Sequence, residues 1–262
     1  FAGRIYYPDA FPSFPLPGLK VPEHGTHVMG TAAAARNNQG MMGVAFDASL
    51  AGVIAVADEE GYTPPGDWAG QLIAAGVSVM NGSFGPDAYP QPFLEDGSLN
   101  PNYVQYRDIG FQVLSVSSVA EDMNAIKRLS EADVVVVFAA GNEYQSHPNA
   151  SLSPSGVGMI PLITPAKTNL LQPACDLDSF GLYCFLDESD PDLDLNDPST
   201  WTFEPLSNVS TIDGSPYAGT LITVVAIDRN NNIAYFSNRC GEAADWCMAA
   251  PGVDIYATVP MS

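Results

Sequence analysis

Positive charge is scarce in this sequence: nine Lys and Arg stand against 30 Asp and Glu in 262 residues, a formal net charge of −21 at pH 7. Such a field repels phosphate backbones and anionic headgroups, which excludes nucleic acid and acidic membranes as principal partners. Long apolar runs are missing too. No stretch approaches the roughly 18 apolar residues of a helical membrane span, and the first residues carry neither the charged start nor the apolar core of a signal peptide. Histidine is limited to His24, His27 and His147. His24 and His27 could share a helix face and a metal ion, but the third ligand that zinc requires is hard to find. Cysteine is limited to four, and the gaps of nine between Cys175 and Cys184 and seven between Cys240 and Cys247 are too wide for a zinc knuckle. Four cysteines allow three pairings. The local one, Cys175 with Cys184 and Cys240 with Cys247, is the simplest and implies an oxidising compartment; four reduced, buried thiols are the alternative.

What the chain does have is apolar mass: 46% hydrophobic residues support a substantial core. Apolar runs of strand length, 50–57, 77–80, 134–140 and 221–227, alternate with helix-length segments at 67–75 and 117–132. That order predicts an α/β fold with a mostly parallel central sheet and helices on both faces. Residues 134–138 are apolar at every position, which predicts a strand covered on both sides. In 117–132, Val119, Met123, Ile126 and Leu129 recur at helical spacing and form the expected inward stripe. The segment 86–102, rich in Pro, Gly, Asp and Asn, reads as a surface loop. Residues 172–215 hold ten acidic residues and no Lys or Arg. With four prolines, that segment reads as an acidic surface insertion in a single domain spanning 1–262, held by its own cysteine pair.

Two stretches carry chemistry. At 23–45, EHGTHVMGTAAAARNNQGMMGVA, a histidine heads a Gly/Ala-rich helical segment whose small residues allow close backbone approach. His24 is either an ordinary polar residue at a helix start or a general base. At 138–142 a buried strand ends in Phe-Ala-Ala-Gly-Asn. This sets the Asn142 amide at the carboxyl edge of the sheet, where open α/β sheets bind ligands. Asn142 either caps a turn or donates to a developing oxyanion.

These residues resemble the subtilases, the subtilisin-like serine proteases. His24-Gly25-Thr26-His27-Val28-Met29-Gly30 is similar to their histidine motif, Asn81-Gly82-Ser83-Phe84-Gly85 to the substrate-binding strand, and Ala139-Ala140-Gly141-Asn142 to the oxyanion segment. Residues 224–260 resemble the run that leads toward the nucleophile. Within it, Ser237-Asn238-Arg239-Cys240 and Asp245-Trp246-Cys247 are closest to the subtilases of bacterial autotransporters. The resemblance implies a three-layer subtilisin-like fold and a secreted or cell-surface serine endopeptidase. In it, His24 is the general base and Asn142 stabilises the oxyanion. The backbone of Ser83, Phe84 and Gly85 pairs with a peptide substrate, and Ala139, Ala140 and Gly141 line the specificity pocket.

The departures matter equally. The family's D-[ST]-G turn and G-T-S-x-A nucleophile motif are absent. Neither Asp9, which follows no apolar strand, nor Ser262, preceded by Pro-Met, takes the vacant role. The sequence is therefore expected to be a segment cut between the two motifs and inactive as it stands. The alternative is a non-catalytic, subtilase-like binding or structural domain. No cofactor is needed for the chemistry. The loop 35–41 resembles the family's structural calcium loop and would use Asn37, whereas the alternating carboxylates of 187–197 lack the mid-loop Gly and final Glu of a standard calcium loop. Asn208-Val209-Ser210 matches the glycosylation triplet, which a bacterial source would leave unused. Substrate specificity and oligomeric state are not legible in the sequence.

Overall fold

The computed structural model describes residues 5–6, 23–53, 67–106, 111–112, 115–172, 175 and 184–258. Asp9, Ser262, residues 54–57 of the first expected strand, and Asp176 and Asp178 of the acidic segment lie outside them. The chain clusters into two compact units, one of 1–80, 132–134 and 254–262, the other of 81–131 and 135–253.

In the first unit, β1 (Ile5–Tyr6) pairs in parallel with β2 (Leu50–Ala51). The histidine motif forms α1 (Glu23–Ala33), with Gly30 and Ala33 buried. The Thr258 hydroxyl donates to the Thr26 carbonyl at 2.7 Å and fills the space that a side chain at Gly30 would need. Beyond the helix the chain folds back, and the N–H groups of Gly43, Val44 and Ala45 donate to the carbonyls of Ala34, Thr31 and Ala32. A helix end leaves such carbonyls without intrahelical partners. The close approach requires the small residues: a side chain at Gly43 would strike the backbone of Ala33 and Ala34.

Helix α2 (Trp68–Ala74) starts where the Asp67 carboxylate accepts the Gly70 N–H at 2.9 Å. It ends at Gly76, whose φ of +67° suits glycine. The Val77 N–H then closes onto the Leu72 carbonyl at 3.3 Å. Val77 is thereby used to finish the helix, so β3 runs Val79–Gly82 and not 77–80 as the apolar pattern predicts.

Along the second unit follow β4 (Ala88–Tyr89), α3 (Pro101–Tyr106), β5 (Phe111–Gln112), α4 (Val116–Glu131), β6 (Val135–Ala139), α5 (Pro165–Leu171), α6 (Leu206–Val209), β7 (Leu221–Ile227) and β8 (Cys247–Pro251). The main sheet has the order β3-β6-β7-β8. Strands β6 and β7 are parallel, with Val136 beside Leu221, and so are β7 and β8, with Thr223 beside Cys247. The fold is α/β with a mostly parallel sheet, as the alternation of runs predicts. One expectation is corrected: Val136 and Phe138 are buried while Val135 is 45% exposed, so β6 is covered on one face. Its continuous valines report the preference of β-branched residues for a strand and not double burial.

Helix α4 is capped by Ser115, whose hydroxyl accepts the Ser118 N–H at 3.1 Å. It buries Val119, Ala125, Ile126 and Leu129, with Met123 partly covered. Val119 enters a cluster with Met159, Leu162, Ile163, Phe185, Val209, Ile212 and Ala243. Phe185, Val209 and Ile212 come from the acidic segment, which corrects the expectation of a surface insertion. Its apolar residues complete the core of this unit, and Cys184, Leu186 and Trp201 form a second cluster beside it. Burying a large apolar side chain contributes about 1.5–3 kcal/mol, which outweighs any tendency of the neighbouring carboxylates to lift the segment away. Those carboxylates remain at the turns. Asp187, Asp190, Asp194 and Asp197 each accept the N–H two residues on, at 2.8–3.0 Å.

The segment 86–102 is likewise more than an exposed loop. Ala88 and Asn100 are buried, and β4 pairs antiparallel with β5. Asn196 of the acidic segment accepts from the Gln91 N–H and, through its carbonyl, from the Asn102 amide, both at 3.0 Å. Both expected disulfides are formed, Cys175–Cys184 and Cys240–Cys247, with Cα separations of 5.8 and 5.7 Å.

Candidate active site

His24 stands in the first turn of α1 with its side chain exposed, while His27, one turn on, is partly covered. The small residues that seat α1 fix the direction in which its first turn faces. His147 is remote in role as well as in sequence. It is buried, its Nε2 donates to the Pro90 carbonyl at 2.8 Å, and its Nδ1 lies 3.0 Å from the Ser146 hydroxyl. Its Nε2 thus ties it to the 86–102 segment, while its Nδ1 faces the neighbouring Ser146. Asn37 is exposed, and its Oδ1 accepts the Gln39 N–H at 3.0 Å within its own turn. Among the described residues no group of three His, Cys, Asp or Glu side chains gathers as metal ligands.

The second unit carries residues 139–142, the expected oxyanion segment. The ladder between β6 and β7 continues through the Ala140 N–H, which donates to Val224 at 2.9 Å. The chain then turns at Gly141, φ +106°. A side chain there would meet Glu143 Oε2, Ser155 Oγ and Asn238 Nδ2, so only glycine fits. Asn142 follows with φ −125° and ψ 13°, at the N-cap of the short helix Glu143–Gln145, yet its side chain makes no capping bond. Of the two readings open in the sequence, turn capping is thus removed. Asn142 is exposed at the carboxyl edge of the sheet, beyond the buried Phe138 and Ala140.

Three residues that sequence reasoning passed over hold this turn. Ser155 donates to the Ala140 carbonyl from its backbone at 2.8 Å and its hydroxyl at 3.2 Å. Asn238 and Glu143 exchange two bonds, Asn238 Nδ2 to Glu143 Oε2 at 2.6 Å and Glu143 N–H to Asn238 Oδ1 at 2.9 Å. Burial pushes the Glu143 carboxyl up from its ordinary range against these bonds, and Asp87 adds to the rise. Nothing local in the sequence marks Ser155. Asn238 lay inside a quoted motif without an assigned part.

The expected substrate strand runs close by within the same unit. Gly82 lies flat on Phe138, leaving no room for a Cβ, and Phe84 packs edge-on against the same ring at 5.3 Å. Gly85 has Ser155 Oγ 3.4 Å from the position of a Cβ, and Pro86 rests on Gly156, φ +51°. Phe84 and Gly85 thus meet Ala140 and Gly141 through Phe138 and Ser155. His24 belongs to the other unit.

The sheet thus presents an asparagine with no side-chain cap, directly after a glycine turn, at its carboxyl edge, where open α/β sheets bind ligands. The chain belongs to the subtilase family, the peptidase S8 group, whose model matches residues 17–261. An extracellular serine protease of Serratia marcescens is 27% identical over 264 residues, 90% of this chain and 19% of that protein. Serotype-specific antigen 1 of Mannheimia haemolytica is 53% identical over 32 residues, 12% of this chain and 3% of that protein. The chain thus spans about a fifth or less of the length of these curated relatives. Among solved structures, the prenylagaramide maturation protease PagA matches with a TM-score of 0.48 and 16% identity, covering 98% of this chain and 58% of PagA. The nisin leader peptidase NisP of Lactococcus lactis matches with a TM-score of 0.40 and 20% identity, covering 87% of this chain and 47% of NisP.

Proposed function

We propose that this chain is the core of a secreted serine endopeptidase that hydrolyses peptide bonds with a Ser-His-Asp triad, His24 acting as general base and Asn142 as oxyanion donor. The observation that carries the reading is the uncapped Asn142 amide at the end of β6 in a member of the subtilase family. A serine hydroxyl attacks a peptide carbonyl poorly until an imidazole removes its proton, and a carboxylate must hold that imidazole in the correct tautomer. In the reaction His24 takes the serine proton as the tetrahedral intermediate forms, then delivers it to the leaving amine. Asn142 donates to the carbonyl oxygen as it becomes an oxyanion. The backbone at Ser83, Phe84 and Gly85 pairs with the peptide as an added strand. Ala139, Ala140 and Gly141, being small, leave room for the side chain beside the cleaved bond. No cofactor enters these steps, and structural calcium at Asn37 would draw on backbone carbonyls of its loop as well. Secretion is supported by the two disulfides and by the extracellular relative.

The test uses the protein of the complete reading frame. A serine-directed phosphonate labels it, and His24→Ala abolishes the labelling. Asn142→Leu lowers kcat by the amount that loss of such a donor costs in subtilisin, about 10²–10³, with little change in KM. A loss confined to KM would assign Asn142 to ground-state binding, and absence of labelling in the unaltered protein would refute the protease reading.

A further inference from the structure

We propose that Asn238, working with Glu143, is the positioning residue that sets the conformation of Asn142, an inference that rests on the protease reading above. The Asn238 N–H donates to the Gly141 carbonyl at 2.9 Å, and its Oδ1 accepts the Glu143 N–H at 2.9 Å. These two groups belong to the peptide planes on either side of Asn142. Fixing both planes fixes the φ and ψ between them, so one residue, distant in sequence, sets the direction in which the Asn142 side chain leaves the backbone. Its Nδ2 closes the arrangement on Glu143 Oε2 at 2.6 Å.

The arrangement answers a physical need. The turn combines φ +106° at Gly141 with φ −125° and ψ 13° at Asn142. The Asn142 side chain makes no cap and so does not hold the turn itself. Asn238 is 0% exposed, so its bonds meet no competition from water. The flanking residues extend the grip: Tyr144 N–H donates to Phe236 at 3.0 Å, Arg239 N–H donates to Ser151 at 3.0 Å, and the Arg239 guanidinium lies 3.6 Å above the Tyr144 ring. Residues 236–239 thus follow the turn along its length, with the Asn238 side chain at the reactive point.

An oxyanion donor acts only if it is already aimed when charge develops, and a displacement of about 1 Å can cost as much as 10²-fold. Asn238→Ala should therefore lower kcat about 10- to 100-fold with KM held. Glu143→Ala should fall in the same direction, and Glu143→Gln, which keeps an acceptor for Asn238 Nδ2, should fall less.

The deciding measurement is a double-mutant cycle on the full-length protein, using peptide hydrolysis and melting temperature together. If Asn238 acts through Asn142, Asn238→Ala in an Asn142→Leu background costs little further activity. Additive losses, or a KM effect alone, would overturn the proposal and leave Asn238 a general structural residue. Should Asn238→Ala fail to fold, Glu143→Ala carries the same cycle, since its side chain is partly exposed. An unaltered protein with no hydrolysis refutes the protease reading, whereas an active one whose Asn238 and Glu143 variants keep full kcat refutes the positioning role alone.

Discussion

Replacing Phe185 by alanine separates a core role for the acidic segment from a surface role. Phe185 is 0% exposed and packs with Val119, Met159, Leu162, Ile163, Val209, Ile212 and Ala243. Removing a buried phenyl ring forfeits its transfer free energy and leaves a cavity, together about 3–5 kcal/mol in well-packed sites. Collapse of the site is restrained here because the Phe185 backbone is held on both sides by Gln172. The Gln172 Oε1 accepts the Phe185 N–H at 3.2 Å, and its Nε2 reaches the Phe185 carbonyl at 3.3 Å and the Glu204 carbonyl at 2.6 Å. The loss should therefore fall in the upper part of that range. The assay is urea unfolding with the disulfides intact, followed by tryptophan fluorescence. Trp201 lies in the segment and Trp246 packs against the cluster, so both should report one coincident transition. Glu188→Ala, on the exposed side of the segment, serves as the control and should change stability by no more than about 0.5 kcal/mol. A Phe185→Ala loss below about 1 kcal/mol, or a separate early transition, would return the segment to the surface.

Two further outcomes follow from the packing. Burial, with Glu121 adding, raises the Asp122 carboxyl from 3.8 to about 6. The native state then binds the proton more tightly than the unfolded chain, so stability is highest below about pH 4 and declines as pH rises to about 6, by at most about 3 kcal/mol. Asp122→Asn should raise the urea midpoint at pH 7.5 and leave it unchanged near pH 3.5; an unchanged midpoint at both values would show the carboxylate to be solvated. Gly82→Ala would drive a methyl group into the Phe138 ring and displace Phe84. It should cost about 1–3 kcal/mol of stability and lower kcat/KM for peptides, and a neutral result in both would mean that the strand can shift without consequence.

Elements specified within a few residues were legible before any coordinates. The four-three-three spacing of Val119, Met123, Ile126 and Leu129 is a helix face, and the helix-length segment 67–75 holds α2. Apolar runs located β6 and β7, and nearness in sequence paired the cysteines. The histidine, substrate-strand and oxyanion motifs pointed to the subtilase family. What the sequence alone could not carry were decisions that depend on distant partners. Val77 reads as strand until its N–H is seen to close α2. The segment 172–215 reads as solvated by its charge, because ten carboxylates mask the few apolar residues that the core takes up. Asn142 could cap a turn or face a substrate, and only the tertiary structure shows the cap unmade. The residue that fixes its conformation lies about a hundred positions further along the chain. Propensity, periodicity and capping act over a turn or two of backbone, whereas a hydrogen bond between remote residues leaves no periodic trace and exists only once the sheet has brought both ends together.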